Sequence, residues 1–265
     1  MSGEHPRDTL RRLEQQARKR FGQNFLVSEH ATKRIVRLAG AGEGTRVLEI
    51  GPGLGALSRA LLDTGAQVRA VELDRDMAAH LRSDLPDLDL VEGDALQVDL
   101  DEVAPGTGWV CCANLPYNVS TRILRRLLPD RRFDRLVLMF QKEVAQRLVA
   151  GPGSKTYGSL SVLVAAHAKA RLAFTLGPGD FHPRPKIDSA VVVFDLVDST
   201  VEDLEFFEKV VRAGFSQRRK VLENAMGSVF GKERVSPVLE ATVGGRRRAE
   251  SLSLAEWIRL AEALA

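Results

Sequence analysis

The sequence predicts an α/β fold: an open, mostly parallel sheet covered by helices on both faces, followed by a small helical region. Two observations carry this. Between about residues 45 and 196, short apolar runs with strand character alternate with segments of helical periodicity, and after about 200 only helical periodicity continues. The first strand, 46–50, is the run through Val47-Leu48-Glu49-Ile50. It is cut off by Gly51-Pro52-Gly53-Leu54-Gly55, and the apolar-periodic stretch Leu57 to Leu62 then marks a helix over 55–64. Strand 67–73 ends in Glu72-Leu73-Asp74 and precedes helix 75–84. Strand 88–92 runs into Gly93-Asp94-Ala95. The apolar run from Trp109 to Ala113 makes strand 109–114, which stops at Asn114-Leu115-Pro116-Tyr117, with helix 120–128 beyond it. Strand 134–140, helices 142–149 and 158–167, and strands 170–176 and 190–196 complete the set. The last two strands are joined by Gly177 to Ser189, which leaves no room for a helix, so they should pair antiparallel. The runs Leu204–Phe215, Lys220–Phe230 and Leu254–Leu264 read as a helical domain.

Three segments follow: a basic, flexible stretch over 1–20, a catalytic domain over 21–199 and a helical domain over 200–265. A chain of 265 residues with 44% hydrophobic side chains can fill such a core. The two cysteines are adjacent within one strand, so their side chains should lie on opposite sheet faces, buried and without a disulfide. No metal site is expected. No apolar run reaches the roughly 18 residues of a membrane span, and the charged N-terminus lacks a signal-peptide core, so the expected location is the cytoplasm.

The net charge of +3 says little by itself, but the basic residues are clustered. They gather at Arg18-Lys19-Arg20, at Arg122, Arg125 and Arg126 with Arg131, Arg132 and Arg135 beyond, at Arg184 and Lys186, at Arg218-Arg219-Lys220, and at Arg246-Arg247-Arg248. Arg122, Arg125, Arg126, Arg184, Lys186, Arg218, Arg219 and Lys220 are the candidate contacts to an RNA backbone.

Asn114-Leu115-Pro116-Tyr117 suits an exocyclic amine that must attack an electrophile. The lone pair of adenine N6 is delocalised into the ring, and it becomes available when both N–H protons are accepted by other groups. The Asn114 side-chain oxygen and the Leu115 carbonyl can accept them, Pro116 fixes φ, and Tyr117 offers a ring for stacking. The glycine turn between strand and helix allows close backbone approach to a ligand. Glu72 stands where a carboxylate accepts from ribose hydroxyls, and Asp94 is a further acceptor for an adenine amine. With Ala56 the same turn also satisfies a dinucleotide fingerprint, so taken alone it leaves a nicotinamide cofactor and S-adenosylmethionine open. The order of motifs after successive strands, ending in Asn-Leu-Pro-Tyr, resembles the S-adenosylmethionine methyltransferases that modify amino groups.

Further blocks narrow the resemblance. Arg20-Phe21-Gly22-Gln23-Asn24-Phe25-Leu26, the Glu49–Leu57 turn, Gln141–Arg147, Tyr157–Val162, Phe181–Ala190 and Phe215–Asn224 together resemble the KsgA family of ribosomal RNA adenine dimethyltransferases, in order from about residue 18 to the C-terminus. Cys111-Cys112-Ala113 and Glu223 depart mildly from the family pattern. The resemblance implies a Rossmann-like, class I S-adenosylmethionine-dependent fold with a seven-stranded sheet. For the cofactor it implies Asn24 and Leu26 as a lid, Gly51 and Gly53 at the methionine end, Glu72 on the ribose, Asp94 on the adenine, Glu49 ordering the turn or meeting the ammonium, and Asn114 as a further residue of the cofactor site. For the target it implies a base held by Asn114, Leu115, Pro116 and Tyr117, with Phe181 stacking on the other face. The implied substrate is small-subunit ribosomal RNA within a pre-assembled 30S-like particle. There a chain that is monomeric when free would dimethylate two adjacent adenines of the 3′-terminal hairpin loop and contribute to subunit biogenesis. An Erm-type enzyme acting on large-subunit RNA, a non-catalytic assembly factor and a nicotinamide oxidoreductase are the alternatives.

Overall fold

The structure is a computed structural model that describes residues 24–217, 219–244 and 246–265. The expectations for residues 1–20, for Phe21 to Gln23 and for Arg218 fall outside the described residues. The described residues divide into two compact units, one reaching to Ala145 and including Arg171–Leu196, the other comprising Gln146–Ala170 with Val197–Ala265.

The first unit is built on a sheet of seven strands: β2 (Arg46–Ile50), β3 (Gln67–Glu72), β4 (Asp89–Glu92), β5 (Trp109–Asn114), β6 (Phe133–Gln141), β7 (Ala168–Leu176) and β9 (Ser189–Leu196). Their order is β4-β3-β2-β5-β6-β9-β7. From β4 to β6 every neighbouring pair is parallel, and β9 runs antiparallel to β6 with Ser189 opposite Gln141. The order reverses between β2 and β5, so the carboxyl ends of these two strands flank a crevice. All seven strands lie at the predicted positions within two residues.

The central strands hold because their side chains are mostly apolar and buried on both faces. Leu48, Cys111 and Leu136 are fully buried in register, and Val47 and Cys112, each next to one of these on its own strand, are fully buried too. Cys112 packs into the core with Val47, Val68 and Val137, while both cysteines remain unpaired thiols that burial pushes up in pKa. Fully buried leucines such as Leu61 and Leu81 each contribute about 1.5–3 kcal/mol.

Some elements were not expected from the sequence. Helix α1 (Glu29–Ala39) precedes the sheet. It is capped by Ser28, whose hydroxyl accepts from the Ala31 amide, and it stops at Gly40 with φ +65°. Strands β1 (Phe25–Leu26) and β8 (Phe181–His182) form a two-stranded antiparallel ribbon with Leu26 opposite Phe181.

In the second unit, helix α2 (Ser159–His167) shares a core with α3 (Leu204–Phe215), α4 (Leu222–Phe230), α5 (Lys232–Thr242) and α6 (Leu254–Leu264). The sequence alone places the segment around Ser159–His167 in the catalytic domain, with a boundary at 199/200. The division differs because Tyr157, Val162 and Ala166 are buried with Phe207, Leu222 and Trp257, and the Tyr157 hydroxyl donates to the Leu252 carbonyl at 2.8 Å. Helix α5 was also missed, since Gly231 interrupts the apolar pattern before it and Pro237 lies inside it.

Candidate active site

The cavity lies beyond the carboxyl ends of β2, β3, β4 and β5, and residues from all four strand ends line it. At the end of β2, Gly51, Gly53 and Gly55 have φ values of +68°, +57° and +76°, a region that L side chains rarely occupy. The three positions are filled differently. A Cβ on Gly53 would come within 2.9 Å of the Phe25 ring, and one on Gly55 within 2.8 Å of Leu85, whereas one on Gly51 would meet nothing within 4 Å. The turn is therefore backed by protein at Gly53 and Gly55 and open at Gly51.

Glu72, at the end of β3, fixes this turn from the neighbouring strand. It is 3% exposed, and its two carboxylate oxygens accept from the Gly53 amide at 3.0 Å and the Asp74 amide at 2.9 Å. Burial pushes its pKa up, and the backbone amides of Asp74 and Gly53 oppose that rise. Each oxygen keeps lone-pair capacity for another donor, as two ribose hydroxyls require. Glu49 lies on β2 behind the turn, 2% exposed, and accepts from the Ser58 hydroxyl at 2.6 Å. Burial raises its pKa to about 8; the Ser58 hydrogen bond opposes the rise and the Glu72 charge adds to it. Beyond β4, Asp94 lines the cavity, and its Oδ1 accepts from the Leu96 amide at 2.8 Å.

At the end of β5, Asn114 donates from Nδ2 to the Asn24 backbone carbonyl at 2.9 Å. A carbonyl can only accept, so this bond turns the amide nitrogen of Asn114 toward Asn24 and leaves its oxygen as the acceptor available to a ligand. Leu115, Pro116 and Tyr117 continue along the same wall. The Tyr117 hydroxyl shares a 2.6 Å hydrogen bond with Ser189, which is fully buried at the start of β9. Lys142 holds that strand end, with its amide on the Asp188 carbonyl at 3.0 Å and its ammonium on the Asp188 carboxylate at 3.0 Å. The tyrosine ring is thus anchored at its far tip.

One cavity therefore gathers Asn24, Leu26, Glu49, Gly51, Gly53, Glu72, Asp94, Asn114, Leu115, Pro116 and Tyr117. Phe181 departs from expectation. It is 2% exposed, opposite Leu26 in the β1–β8 ribbon and packed in the main core, and it does not line the cavity. Its ring is bound up in packing that a second stacking surface would have to give up.

The basic candidates also separate. Arg122, Arg125, Arg184, Lys186, Arg219 and Lys220 are exposed. Arg126 is not a free surface charge, because its guanidinium donates to the Ala95 carbonyl at 2.7 Å and to the Val98 carbonyl. Arg132 bridges Asp101 and Asp130, and Arg135 pairs with Asp195. Sequence reasoning missed Phe25, Ser58 and Ser189. Ser58 and Ser189 carry no spacing signal toward their partners, and Phe25 sits between two residues that were singled out.

The donor set fits S-adenosylmethionine: an open glycine at the start of the turn, a carboxylate after β3 and another after β4, with an amine-accepting wall beside them.

A family model described as Ribosomal RNA adenine dimethylase matches residues 14–265. Among curated proteins, the chain is 46% identical over 253 residues to Ribosomal RNA small subunit methyltransferase A of Syntrophotalea carbinolica, covering 92% of this chain and 96% of that one. It is 45% identical over 262 residues to the protein of the same name from Geobacter sulfurreducens, covering 94% and 95%. Among solved structures, a dimethyladenosine transferase from Plasmodium falciparum superposes with a TM-score of 0.80 at 26% identity, covering 89% of this chain and 95% of that one. The 23S rRNA methyltransferase ErmE superposes with a TM-score of 0.69 at 25% identity, covering 91% and 99%.

Proposed function

The chain belongs to the ribosomal RNA adenine dimethylase family, and from that premise we propose that it dimethylates N6 of two adjacent adenines in the 3′-terminal hairpin loop of small-subunit (16S) ribosomal RNA. S-adenosylmethionine, when bound, supplies the activated methyl group. Glu72 would hold its ribose, Asp94 its adenine, and the open Gly51 the methionine end, with Gly53, Asn24 and Leu26 beside them.

The observation that carries the proposal is the orientation of Asn114. With its amide nitrogen committed to the Asn24 carbonyl, its oxygen is preset as an acceptor before any base arrives. The Asn114 oxygen and the Leu115 carbonyl accept hydrogen bonds from the two N6–H groups in the first transfer, and one of them from the single remaining N6–H in the second. They localise the nitrogen lone pair and stabilise the positive charge that develops on nitrogen during attack, and the N6 proton leaves to water after each transfer. No strong general base is needed. Extrusion of the target base costs a few kcal/mol, least for a loop nucleotide. Stacking on Tyr117, held by Ser189, offsets about 1–3 kcal/mol of that.

The small-subunit reading rests on the 46% and 45% identity to proteins named for the small subunit, against 25% to ErmE. The favoured substrate is a pre-assembled 30S-like particle in the cytoplasm, engaged by a monomer, because an intact particle presents more phosphates to the exposed basic residues than a short hairpin does. Incubation with the cofactor and with isolated small or large subunits, followed by mass spectrometry of the RNA, tests the assignment. Dimethyladenine in the small-subunit RNA is expected. Its appearance only in large-subunit RNA would move the function to the Erm type.

A further inference from the structure

We infer that Arg126 is a positioning residue for the adenine end of the cofactor cavity, holding the loop that carries Asp94, rather than an RNA contact; this rests on the function proposed above. The loop from Gly93 to Val98 leaves β4, an edge strand of the sheet, so the sheet supports it from one side only. Its turn is tight: the Asp94 carbonyl accepts from the Gln97 amide at 2.7 Å and the Val98 amide at 2.8 Å, and a Cβ on Gly93 would lie 2.5 Å from the Val98 side chain. The carbonyls of Ala95 and Val98 remain to be satisfied, and Arg126 satisfies both with the two arms of one guanidinium. A planar fork of charged donors matches two carbonyls in a way a single ammonium does not.

The base of this tether is the helix that follows the catalytic turn. Arg126 lies on the helix Ser120–Leu127, whose Ser120 hydroxyl donates to the Tyr117 carbonyl at 3.1 Å and whose Ile123 forms part of the cavity wall. A single side chain therefore ties the loop that bears Asp94 to the helix that supports the target-binding turn. If the tether is removed, Asp94 keeps its local turn bonds but loses its fixed distance from that helix. Selectivity for an adenine amine, which depends on where the Asp94 carboxylate stands, should fall before general affinity does.

The test uses the full chain and its Arg126→Met and Arg126→Lys variants. Calorimetry compares S-adenosylhomocysteine with its inosine counterpart, which carries a carbonyl oxygen in place of the adenine amine. The wild type should prefer the adenosyl compound. In Arg126→Met that preference should shrink by about tenfold, as expected when a charged hydrogen-bonding partner is removed, while Arg126→Lys falls between and the KM for RNA stays unchanged. Hydrogen exchange at the Gln97 and Val98 amides should quicken in Arg126→Met even without ligand. If preference and exchange match the wild type while the KM for RNA rises, Arg126 is an RNA contact and the inference is overturned. If the wild type binds neither compound, the functional reading fails instead, and the exchange measurement still decides whether the tether exists. Should Arg126→Met not fold, the Lys variant carries the same comparison, with wild-type preference and exchange counting against the tether.

Discussion

The Asn114 side chain has two faces with separate duties, and substitutions can divide them. Asn114→Ala removes the acceptor for N6 and the donor to Asn24 together. Turnover should fall by about two to three orders of magnitude, the usual consequence of losing one partner of a charge-developing transition state. Affinity for S-adenosylmethionine, measured by calorimetry, should hold, since Glu72 and Asp94 are untouched. Asn114→Asp is the more pointed variant: it keeps an acceptor but sets a carboxylate oxygen against the Asn24 carbonyl, and it should be at least as inactive. Near wild-type turnover in either would refute the lone-pair argument. Glu49 yields a prediction about pH. Burial raises its pKa from 4.5 to about 8, so between those values the folded chain keeps a proton that the unfolded chain has released. Stability from this group is then fully present below about pH 4.5 and declines as pH rises toward 8, the reverse of an ion-paired carboxylate. Glu49→Gln has no proton to lose. The fall in urea midpoint between pH 5 and pH 8 should be smaller in the variant, and equal falls would show that Glu49 is ionised in the native state.

The glycine turn shows how one short element serves both folding and binding. Gly51→Ala and Gly53→Ala each place an alanine at positive φ, which costs about 1 kcal/mol or more. Beyond that shared penalty they should part. The new methyl at 53 strikes the Phe25 ring, so Gly53→Ala should lower the melting temperature further by displacing the strand Phe25–Leu26. The methyl at 51 enters open space, so Gly51→Ala should melt closer to the wild type yet bind S-adenosylmethionine poorly. Paired thermal melts and calorimetry separate the two, and parallel losses in both variants would contradict the assignment of the open side to the cofactor. Elements of this kind were legible in the sequence because a period change and a glycine cluster coincide there. Helix Glu29–Ala39 had its markers in Ser28 and Gly40, but it stands before the first recognisable strand, outside the alternation that organised the reading. The ribbon of Phe25–Leu26 with Phe181–His182 was illegible for a different reason: two-residue strands leave no periodicity, and their pairing joins positions far apart in the chain. The burial of Phe181 follows from that pairing. The bonds from Arg126 to the Ala95 and Val98 carbonyls were illegible because three arginines on one helix look alike in sequence, and only the loop Ala95–Val98 tells them apart.

At the scale of the molecule, the division into units changes how the RNA contacts can be tested. Deleting residues from about 200 onward would strip Tyr157, Val162 and Ala166 of the partners that bury them, so a truncated chain would report exposed core as much as lost RNA contact. Substitution of exposed charge avoids this. Arg219 and Lys220 lie on the surface between helices Leu204–Phe215 and Leu222–Phe230, and neither belongs to the core of that unit. Each phosphate neutralised by a cation releases condensed counterions, which sets the slope of log affinity against log salt at about 0.7–0.9 per contact. If both side chains meet phosphates, Arg219→Ala with Lys220→Ala should flatten the slope for binding small subunits by about 1.5 and weaken binding most at low salt. The melting temperature and the affinity for S-adenosylmethionine should stay at wild-type values, because neither residue lines the cavity. Filter binding across a salt series gives the slope directly. An unchanged slope would make these two residues ordinary solvated charge and shift the electrostatic contact with RNA to the exposed Arg122, Arg125, Arg184 and Lys186 of the catalytic unit.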